Sequence, residues 1–265
     1  MAYNYDDEQA AARYDAAVRV QPGEIEFYLE LAREAQSQGL LTLELACGTG
    51  RIAAPLVQAG ISLVGVDNAP AMLERARSKS VGLENARWLE GDMREFDLGE
   101  RFGLVFIAAG TFQLLLEVEE QLACLRCVER HLAPGGRFAF EVENPDIVRM
   151  SQWLTDKRGT FVRNPSRDHD DPDTGRRVLA WDTVEYHPSS QRYASQRISE
   201  ELDEQGDVVR RRHGEPMELR YFHRYEMEHL LARAGLEVEA LFGDTLKNEY
   251  RATSPDFIWV ARRAV

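Results

Sequence analysis

Residues 43–50 read Leu43-Glu44-Leu45-Ala46-Cys47-Gly48-Thr49-Gly50, and they stand between a predicted strand and a predicted helix. The small residues at positions 46, 48 and 50 let the backbone turn tightly and approach a ligand without an intervening side chain. The N-terminus of the helix that follows adds free N–H groups and a partial positive charge. This turn indicates a nucleotide-binding site, although it does not by itself identify the nucleotide, since dinucleotide-binding proteins use a related sequence.

On either side of this turn, short β-rich runs alternate with helical stretches. Such alternation predicts βαβ units with right-handed crossovers and a mostly parallel sheet. The strand runs are continuously apolar, as expected where helices cover both faces of a sheet. The predicted strands are 41–45, 61–66, 86–89, 104–108 and 137–142, and the predicted helices between them are 51–59, 70–79 and 118–132.

The alternation breaks after Pro145. Residues 155–177 are rich in turn-forming residues and are predicted to form a loop. The next part of the chain predicts an antiparallel meander, then a helix and two closing strands. The meander strands are predicted near 178–186, 192–203 and 207–219, and the closing strands at 236–242 and 257–262. The predicted organisation is an N-terminal helical cap (1–39), a core (40–145 and 223–265) and an inserted antiparallel element (146–222).

Asp67 ends the strand that follows the glycine-rich turn, 17 residues after Gly50. A carboxylate at this point can accept hydrogen bonds from both hydroxyls of a ribose. The alternative is that Asp67 only caps the helix beginning at Pro70, a role that Asn68 could fill instead. We favour the ribose role.

Two further strands end in motifs that suit a nucleotide. The third ends in Glu90-Gly91-Asp92-Met93, which offers a carboxylate and a flat apolar side chain to an adenine. The fourth ends in Ala108-Ala109-Gly110-Thr111-Phe112, where small residues again stand at a strand's carboxyl end. The ends of four strands therefore converge on one crevice, which is where open α/β sheets bind ligands.

Taken in their order along the chain, these strand-end motifs resemble those of the class I S-adenosylmethionine-dependent methyltransferases. The resemblance covers residues 40–143 strongly and 227–265 more weakly. It implies a Rossmann-like α/β fold, with a seven-stranded, mostly parallel sheet whose last strand is reversed and with the meander inserted between strands 5 and 6. The motifs that carry it are 43–50, Gly65–Asn68 with Met72, Gly91-Asp92-Met93 and Ala133-Pro134-Gly135-Gly136.

The resemblance also implies S-adenosyl-L-methionine as the cofactor. The glycine-rich turn would then surround the methionine moiety and the ribose, and Asp67 would take the ribose hydroxyls. Asp92 would meet the adenine amino group with Met93 beside the ring, and Ala108 would offer its carbonyl to the cofactor's ammonium. The full predicted cofactor-binding set is Tyr14, Tyr28, Glu44, Ala46, Gly48, Gly50, Asp67, Asn68, Met72, Asp92, Met93 and Ala108.

Methyl transfer requires little chemical activation by the protein's own groups, because the cofactor's sulfonium already makes the methyl group electrophilic. The protein aligns donor and acceptor and excludes water. Glu143 and Asn144 end the fifth strand and are the predicted catalytic residues, with Glu143 orienting or deprotonating the acceptor. A turn-capping role for Glu143 is equally consistent with the sequence. Tyr14 and Tyr28 are predicted to face the sulfonium, with core packing as the rival role for Tyr28.

The charge and composition of the chain limit the classes of partner that it is expected to bind. The net charge of −13 disfavours a nucleic-acid partner. No apolar run reaches the ~20 residues that span a bilayer, and the first residues lack the features of a signal peptide, which predicts a cytoplasmic protein without a membrane partner. The three cysteines predict no disulfide framework, and the six histidines show no metal-ligand spacing, so no metal is expected.

These observations predict methyl transfer to a nitrogen or oxygen of a small-molecule substrate. The alternatives are an RNA or protein methyltransferase, or a catalytically silent S-adenosylmethionine-binding module. A nicotinamide-dependent oxidoreductase would need G-x-G-x-x-G, and position 53 is alanine. The insert 146–222 leaves the core beside the predicted methyl-transfer site, so it is predicted to cover the substrate, with homodimer formation as its alternative role.

Overall fold

A computed structural model describes residues 7–156 and 162–264 of the chain. The chain divides into two compact units. The insert unit combines the described part of residues 1–19 with Pro145–Tyr221, and the sheet unit combines Val20–Asn144 with Phe222–Val265. The N-terminal 39 residues, predicted from the sequence as one cap, are therefore shared between the two units.

The secondary structure follows the predicted alternation in the sheet unit. The helices are α1 (Glu8–Ala17), α2 (Glu24–Ser37), α3 (Ala53–Gln58), α4 (Pro70–Lys79), α5 (Val118–His131), α6 (Ile147–Asp156) and α7 (Arg224–Arg233). The strands are β1 (Leu41–Leu45), β2 (Leu63–Asp67), β3 (Ala86–Glu90), β4 (Phe102–Ile107), β5 (Leu132–Glu143), β6 (Val162–Arg163), β7 (His169–Asp170), β8 (Arg177–His187), β9 (Arg192–Leu202), β10 (Val208–His213), β11 (Met217–Arg220), β12 (Leu236–Phe242) and β13 (Asp256–Arg263). Within the described ranges, no helix is both long and apolar enough to cross a membrane.

The sheet unit is built on a seven-stranded sheet in the order β12-β13-β5-β4-β1-β2-β3. Strands β1 to β5 pair in parallel, and β13 runs antiparallel to both of its neighbours, β5 and β12. The prediction of a Rossmann-like α/β sheet with a reversed last strand is confirmed. Because the chain order reverses at β1, the carboxyl ends of β1 and β4 flank the point where such sheets bind ligands.

Alternating side chains of the strands explain why helices cover both faces of this sheet. Leu43 and Leu45 of β1 belong to one buried cluster, which also contains Leu125 of α5. Phe106 of β4 belongs to a second cluster with Phe27 of α2. The apolar residues of α2 recur at helical spacing and face this second cluster, which is why α2 is part of the sheet unit.

The insert unit contains the predicted antiparallel sheet. Its strands follow the order β10-β9-β8-β6, with β11 also paired to β9 and β7 also paired to β8. β8 and β9 form its central hairpin, with cross-strand neighbours such as Tyr186 and Tyr193. Met150 and Tyr221 join these two tyrosines in a small buried cluster of the unit's own.

Two parts of the insert unit differ from the sequence-based prediction. The predicted loop over 155–177 contains β6 and β7. The helix α6 overlaps its first two residues and was not predicted, although Ile147, Met150 and Leu154 recur at helical spacing. The single strand predicted over 207–219 was wrong. It is split into β10 and β11 around Pro216, which lacks the N–H that strand pairing needs.

Candidate active site

The turn after β1 contains three residues with positive φ. Ala46 has a φ of 53°, Gly48 of 54° and Gly50 of 72°. Residues other than glycine rarely adopt this region, so Ala46 carries local strain of the kind that concentrates at functional sites. A Cβ at Gly48 would meet no atom within 4 Å, whereas a Cβ at Gly50 would lie 3.2 Å from the Cβ of Ala76. The turn is thus packed against α4 at Gly50 and open at Gly48, where a ligand can approach the backbone.

Asp67 holds this turn from the end of β2. One carboxylate oxygen accepts the Gly48 N–H at 2.7 Å, and the other accepts the Ala69 N–H at 2.9 Å. Burial raises the pKa of Asp67, and the hydrogen bonds from Ala69 and Gly48 oppose that rise. Each oxygen keeps a second lone pair for a ligand hydroxyl. Asp67 therefore fixes the turn and the start of α4 together, while the neighbouring Asn68 is exposed and Met72 is buried in α4.

The residues predicted to meet an adenine lie just beyond β3. Asp92 forms a salt bridge of 2.6 Å with Arg94, which in turn contacts Glu120 at 2.5 Å. The hydrogen bond from Arg94 lowers the pKa of Asp92. Met93 is half-buried against the core. An adenine amino group at Asp92 would therefore share this carboxylate with Arg94.

At the carboxyl end of β4, the chain turns sharply after Ala108. The Ala108 carbonyl accepts the Thr111 hydroxyl at 2.9 Å, and Ala109 has a φ of 58°. The Ala109 N–H donates to a carboxylate oxygen of Glu141, which lies on the neighbouring strand β5. This contact brings an acidic side chain that the sequence-based prediction did not include into the space beside β4.

A buried ion pair joins α2 to the glycine-rich turn. The Arg51 guanidinium donates to both carboxylate oxygens of Glu24, at 2.6 and 2.7 Å. The Gln21 N–H also donates to Glu24 at 2.8 Å. The side chain of Glu24 is 1% exposed and that of Arg51 is 11% exposed. A bidentate pair so far from water fixes the helix α2 relative to the turn.

Glu24 and Arg51 belong to a larger group, the buried polar cluster, whose other buried members are Tyr28 and Glu44; Glu141 borders this cluster and is half-buried. Tyr28 stacks on Phe106 at 4.4 Å between ring centroids, and its pKa is raised by burial and by the charges of Glu141, Glu24 and Glu44. The Tyr28 hydroxyl and the Glu44 Oε2 find no hydrogen-bond partner among the described residues. Buried polar atoms without partners are uncommon in folded proteins, so this cluster is a candidate ligand-binding region.

Burial also changes the acidity of the carboxyl groups in this cluster. It raises the pKa of Glu44 well above the usual value, although Arg51 opposes that rise. Burial, with the charges of Glu24 and Asp256, raises the pKa of Glu141 to about 8. A positive charge placed near these carboxyl groups would lower both pKa values.

The two predicted catalytic residues end β5 in different surroundings. Glu143 is exposed, and its backbone N–H donates to the Gln113 side chain at 2.9 Å. Burial and the charge of Glu143 raise the pKa of Asp256, its partner on β13, to about 6. The Asn144 amide donates to the Ser254 carbonyl at 2.7 Å and to the Ala252 carbonyl at 3.3 Å. Asn144 thus ties down the segment before β13, and a catalytic role for either residue stays a prediction.

The structure brings most of the predicted cofactor-binding residues to one end of the sheet unit, whereas Tyr14 lies on α1 in the insert unit. Sequence reasoning missed Glu24, Arg51 and Glu141. Signals for them existed: Arg51 directly follows the glycine-rich turn, and Glu141 interrupts the apolar run of β5. Glu24 stands one helical turn before Tyr28 on the apolar face of α2, where a charged residue needs a partner.

Comparison with known proteins agrees with this geometry. Residues 42–136 match the family described as "Methyltransferase domain". The chain is similar to the cypemycin N-terminal methyltransferase of a Streptomyces species, with 35% identity over 107 residues that make up 40% of this chain and 43% of that protein. It is also similar to the dTDP-3-amino-3,4,6-trideoxy-alpha-D-glucopyranose N,N-dimethyltransferase of Streptomyces venezuelae, with 31% identity over 40% of this chain and 44% of that protein.

The similarity to these two curated relatives is confined to part of each protein, and the chain spans less than half the length of either one. A solved structure matches over a much larger part of the chain. The CcbJ methyltransferase from Streptomyces caelestis superimposes with a TM-score of 0.77 and 26% identity, and the likeness covers 97% of each chain. The insert unit is therefore included in the structural likeness as well as the sheet unit.

Proposed function

Because this chain belongs to the class I S-adenosylmethionine-dependent methyltransferases, we propose that it transfers a methyl group to a nitrogen or oxygen of a small, polar molecule. Nitrogen is favoured, since both curated relatives described above are named for methylation of an amine or an amino terminus. The observation that carries the proposal is the open turn at Gly48 beside a buried polar cluster with two unpartnered atoms.

The residues present fit S-adenosylmethionine, the cofactor of this family. When bound, this cofactor supplies a methyl group made electrophilic by its sulfonium. The Gly48 backbone and the Asp67 carboxylate would hold the ribose end, and the cluster around Glu44 would hold the positively charged methionine end. Both unpartnered atoms, the Glu44 Oε2 and the Tyr28 hydroxyl, can accept hydrogen bonds from an ammonium group.

The chain's own residues then have three tasks. Asp67 keeps the turn in its open conformation through the Gly48 N–H. Burial within the cluster excludes water from charged groups and strengthens their interactions. A carboxyl group near the carboxyl end of β5, predicted from the sequence to be Glu143, would take the proton that an amine or hydroxyl acceptor loses.

Ligand binding tests the proposal most directly. We expect the purified protein to bind S-adenosylmethionine and S-adenosylhomocysteine with dissociation constants on the order of micromolar to tens of micromolar, about −7 to −8 kcal/mol, and NAD and NADP far more weakly. Isothermal titration calorimetry measures this, and a rise in melting temperature with ligand gives a second readout. Binding of a dinucleotide with no response to either sulfur compound would contradict the family's cofactor.

Activity is then measured on a panel of acceptors. Amino sugars, free amino acids, peptides with free amino termini and hydroxylated analogues are incubated with S-adenosylmethionine, and both methylated product and S-adenosylhomocysteine are followed by mass spectrometry. Transfer to RNA or to folded proteins alone would favour the alternative substrate class. Tight cofactor binding without transfer to any acceptor would favour a silent binding module.

We also propose that the insert unit selects the acceptor, as the sequence predicted, because it leaves the core directly after Glu143 and Asn144. Tyr186 and Tyr193 are buried in its own cluster, with ring centroids 5.8 Å apart. If either hydroxyl binds the acceptor, Tyr186→Phe or Tyr193→Phe preserves the ring packing but removes one hydrogen bond, so the Michaelis constant for the acceptor is expected to rise up to about tenfold. Steady-state kinetics measures the change.

Tyr225→Phe is the matched control, since Tyr225 is 68% exposed on α7. The affinity for S-adenosylmethionine should stay constant in all three variants. Unchanged kinetics in both insert variants would contradict acceptor selection by these tyrosines, and a sizing column would then test the homodimer that the sequence also predicted. The cytoplasm is the proposed location of the enzyme.

A further inference from the structure

Beyond β3 the chain makes a tight turn that folds Arg94 back onto Asp92. The Glu95 N–H donates to the Asp92 carbonyl at 3.1 Å, and these two residues form an isolated antiparallel bridge. The Arg94 backbone N–H and Nε donate to Asp92 Oδ1 at 2.8 and 2.9 Å, and Arg94 Nη2 donates to Oδ2 at 2.6 Å. Several donors of a single residue therefore fix the orientation of the Asp92 carboxylate.

Arg94 is itself held by the helix α5. Its Nη1 donates to Glu120 Oε1 at 2.5 Å, and the Cys127 thiol donates to the Arg94 backbone carbonyl at 3.2 Å. The other carboxylate oxygen of Glu120 accepts the Glu117 N–H at 3.2 Å, within the capping box that begins α5. The guanidinium thus spans from Asp92 to the first turn of α5, and it cannot rotate without breaking one of these contacts.

This arrangement lies in contact with solvent. The side chains of Arg94, Asp92 and Glu120 are 43%, 24% and 31% exposed. Ion pairs exposed to this degree contribute little to the stability of a fold. Precise support of an accessible polar group is, however, what a binding site needs when a ligand must meet that group in one orientation.

The turn is also attached to the end of β2, where Asp67 is proposed to hold a ribose. Asp67 and Glu90 are neighbours in the parallel register of β2 and β3, and the Gly91 N–H donates to the Asp67 backbone carbonyl at 3.0 Å. Neighbouring strands lie about 4.8 Å apart. A nucleoside whose ribose binds at the end of β2 therefore has its base within reach of Asp92, which follows β3.

The contacts with Arg94 leave Asp92 with little spare capacity to accept hydrogen bonds. An ionised carboxylate offers about four lone-pair sites. Arg94 fills two on Oδ1 and one on Oδ2, while Nε reaches Oδ2 only as a longer, shared contact of 3.1 Å. The remaining site on Oδ2 suits a single N–H donor. A ligand carbonyl oxygen in the same place would be repelled, because the Asp92 carboxylate has no proton to donate.

Resting on the proposed function, we propose that Arg94 is a positioning residue that makes the cofactor site selective for a purine with an amino group at position 6. Arg94 directs the free lone pair of Asp92 at that amino group, and the site thereby rejects 6-oxopurines. Arg94 acts through Asp92 and takes no part in methyl transfer. The hydrogen bond from Arg94 also lowers the pKa of Asp92, which keeps the carboxyl group in its accepting form.

Two analogues of the reaction product test this assignment. S-Adenosylhomocysteine carries the amino group, and S-inosylhomocysteine carries a carbonyl oxygen in its place. By calorimetry at pH 7, wild-type protein is expected to bind the adenosyl compound about 10- to 100-fold more tightly, the effect of one hydrogen bond to a charged group. Arg94→Gln should reduce this preference by about tenfold, because Asp92 is then free to turn towards solvent and mainly the adenosyl compound loses affinity.

Further variants separate orientation from charge. Arg94→Lys keeps the positive charge but lacks the planar fork, so its preference should stay close to that of Arg94→Gln. Asp92→Asn can turn an amide N–H towards a carbonyl oxygen, so its preference should be nearly lost. Arg87→Gln is the matched control: Arg87 lies on β3, is 49% exposed and forms a bidentate pair with Glu100 at 2.9 and 2.7 Å. It should keep the wild-type preference.

The preference is a ratio of two affinities measured in one protein, so a partial loss of folded protein cancels from it. Equal weakening of both compounds in Arg94→Gln, or full recovery of the preference in Arg94→Lys, would overturn the assignment. Equal binding of both compounds by wild-type protein would overturn it as well, while leaving the methyltransferase proposal intact. Failure of wild-type protein to bind S-adenosylhomocysteine at all would instead overturn the proposed function.

Discussion

Replacing Asp67 with alanine is expected to weaken S-adenosylmethionine binding by roughly 2–4 kcal/mol, because two charge-assisted hydrogen bonds to the ribose are lost. The structure adds a second reason: Asp67 accepts the Gly48 N–H and thereby keeps the turn open beneath the ligand. Calorimetry with S-adenosylmethionine measures the loss.

Asp67→Asn separates the two contributions. Its amide oxygen can still accept one backbone N–H, so the turn is partly preserved while the negative charge is removed. Glu74→Ala is the control, since Glu74 is exposed on α4 in the helix that follows. A lowered melting point in Asp67→Ala together with an unchanged dissociation constant would contradict the ribose role and leave Asp67 as an element of the turn and of the start of α4.

Replacing Arg51 with methionine is expected to lower the free energy of unfolding by about 3 kcal/mol, because Glu24 would be left buried without its cation. Methionine keeps much of the packing volume of the arginine stem, so the loss reports the charge rather than a cavity. Urea denaturation at pH 7, followed by circular dichroism, measures the change. Combining Arg51→Met with Glu24→Gln should restore much of the stability, since no uncompensated charge remains.

An exposed pair on α4 provides the control for this experiment. Arg77 and Glu74 lie 3.5 Å apart with side chains 46% and 78% exposed. Arg77→Met should therefore change the stability by less than about 0.5 kcal/mol. If Arg51→Met cost no more than Arg77→Met, the Glu24–Arg51 pair would not stabilise the fold in the way that its burial indicates.

The fold of the sheet unit could be predicted because its signals are local. Small residues at positions 46, 48 and 50 mark a turn whatever surrounds it, and the apolar runs mark buried strands. The split between β10 and β11 was missed for the opposite reason, because the break at Pro216 matters only once both flanking runs are paired to the same strand, β9. The helix α6 was missed although the spacing of Ile147, Met150 and Leu154 is itself a local signal.

The candidate site was predicted in part, and the missing part depends on long-range contacts. Asp67 was found because it follows a strand at a recognisable distance from the turn. Glu141 and Glu24 become neighbours only after α2 packs on the sheet that contains β5, since 117 residues separate them along the chain. The available signal was Glu141, a single acidic residue in the apolar run of β5. Its neighbour Glu24 could not be identified from spacing along the sequence.

The position of β13 also bears on how the chain folds. This strand lies between β5 and β12, so the sheet stays divided until residues beyond Pro255 have been synthesised. Closing so long a loop costs chain entropy and slows folding. The hairpin of β8 and β9 needs only neighbouring residues and can form earlier, which shortens the free chain between β5 and β13. On a ribosome, the insert would thus acquire structure before β13 completes the sheet.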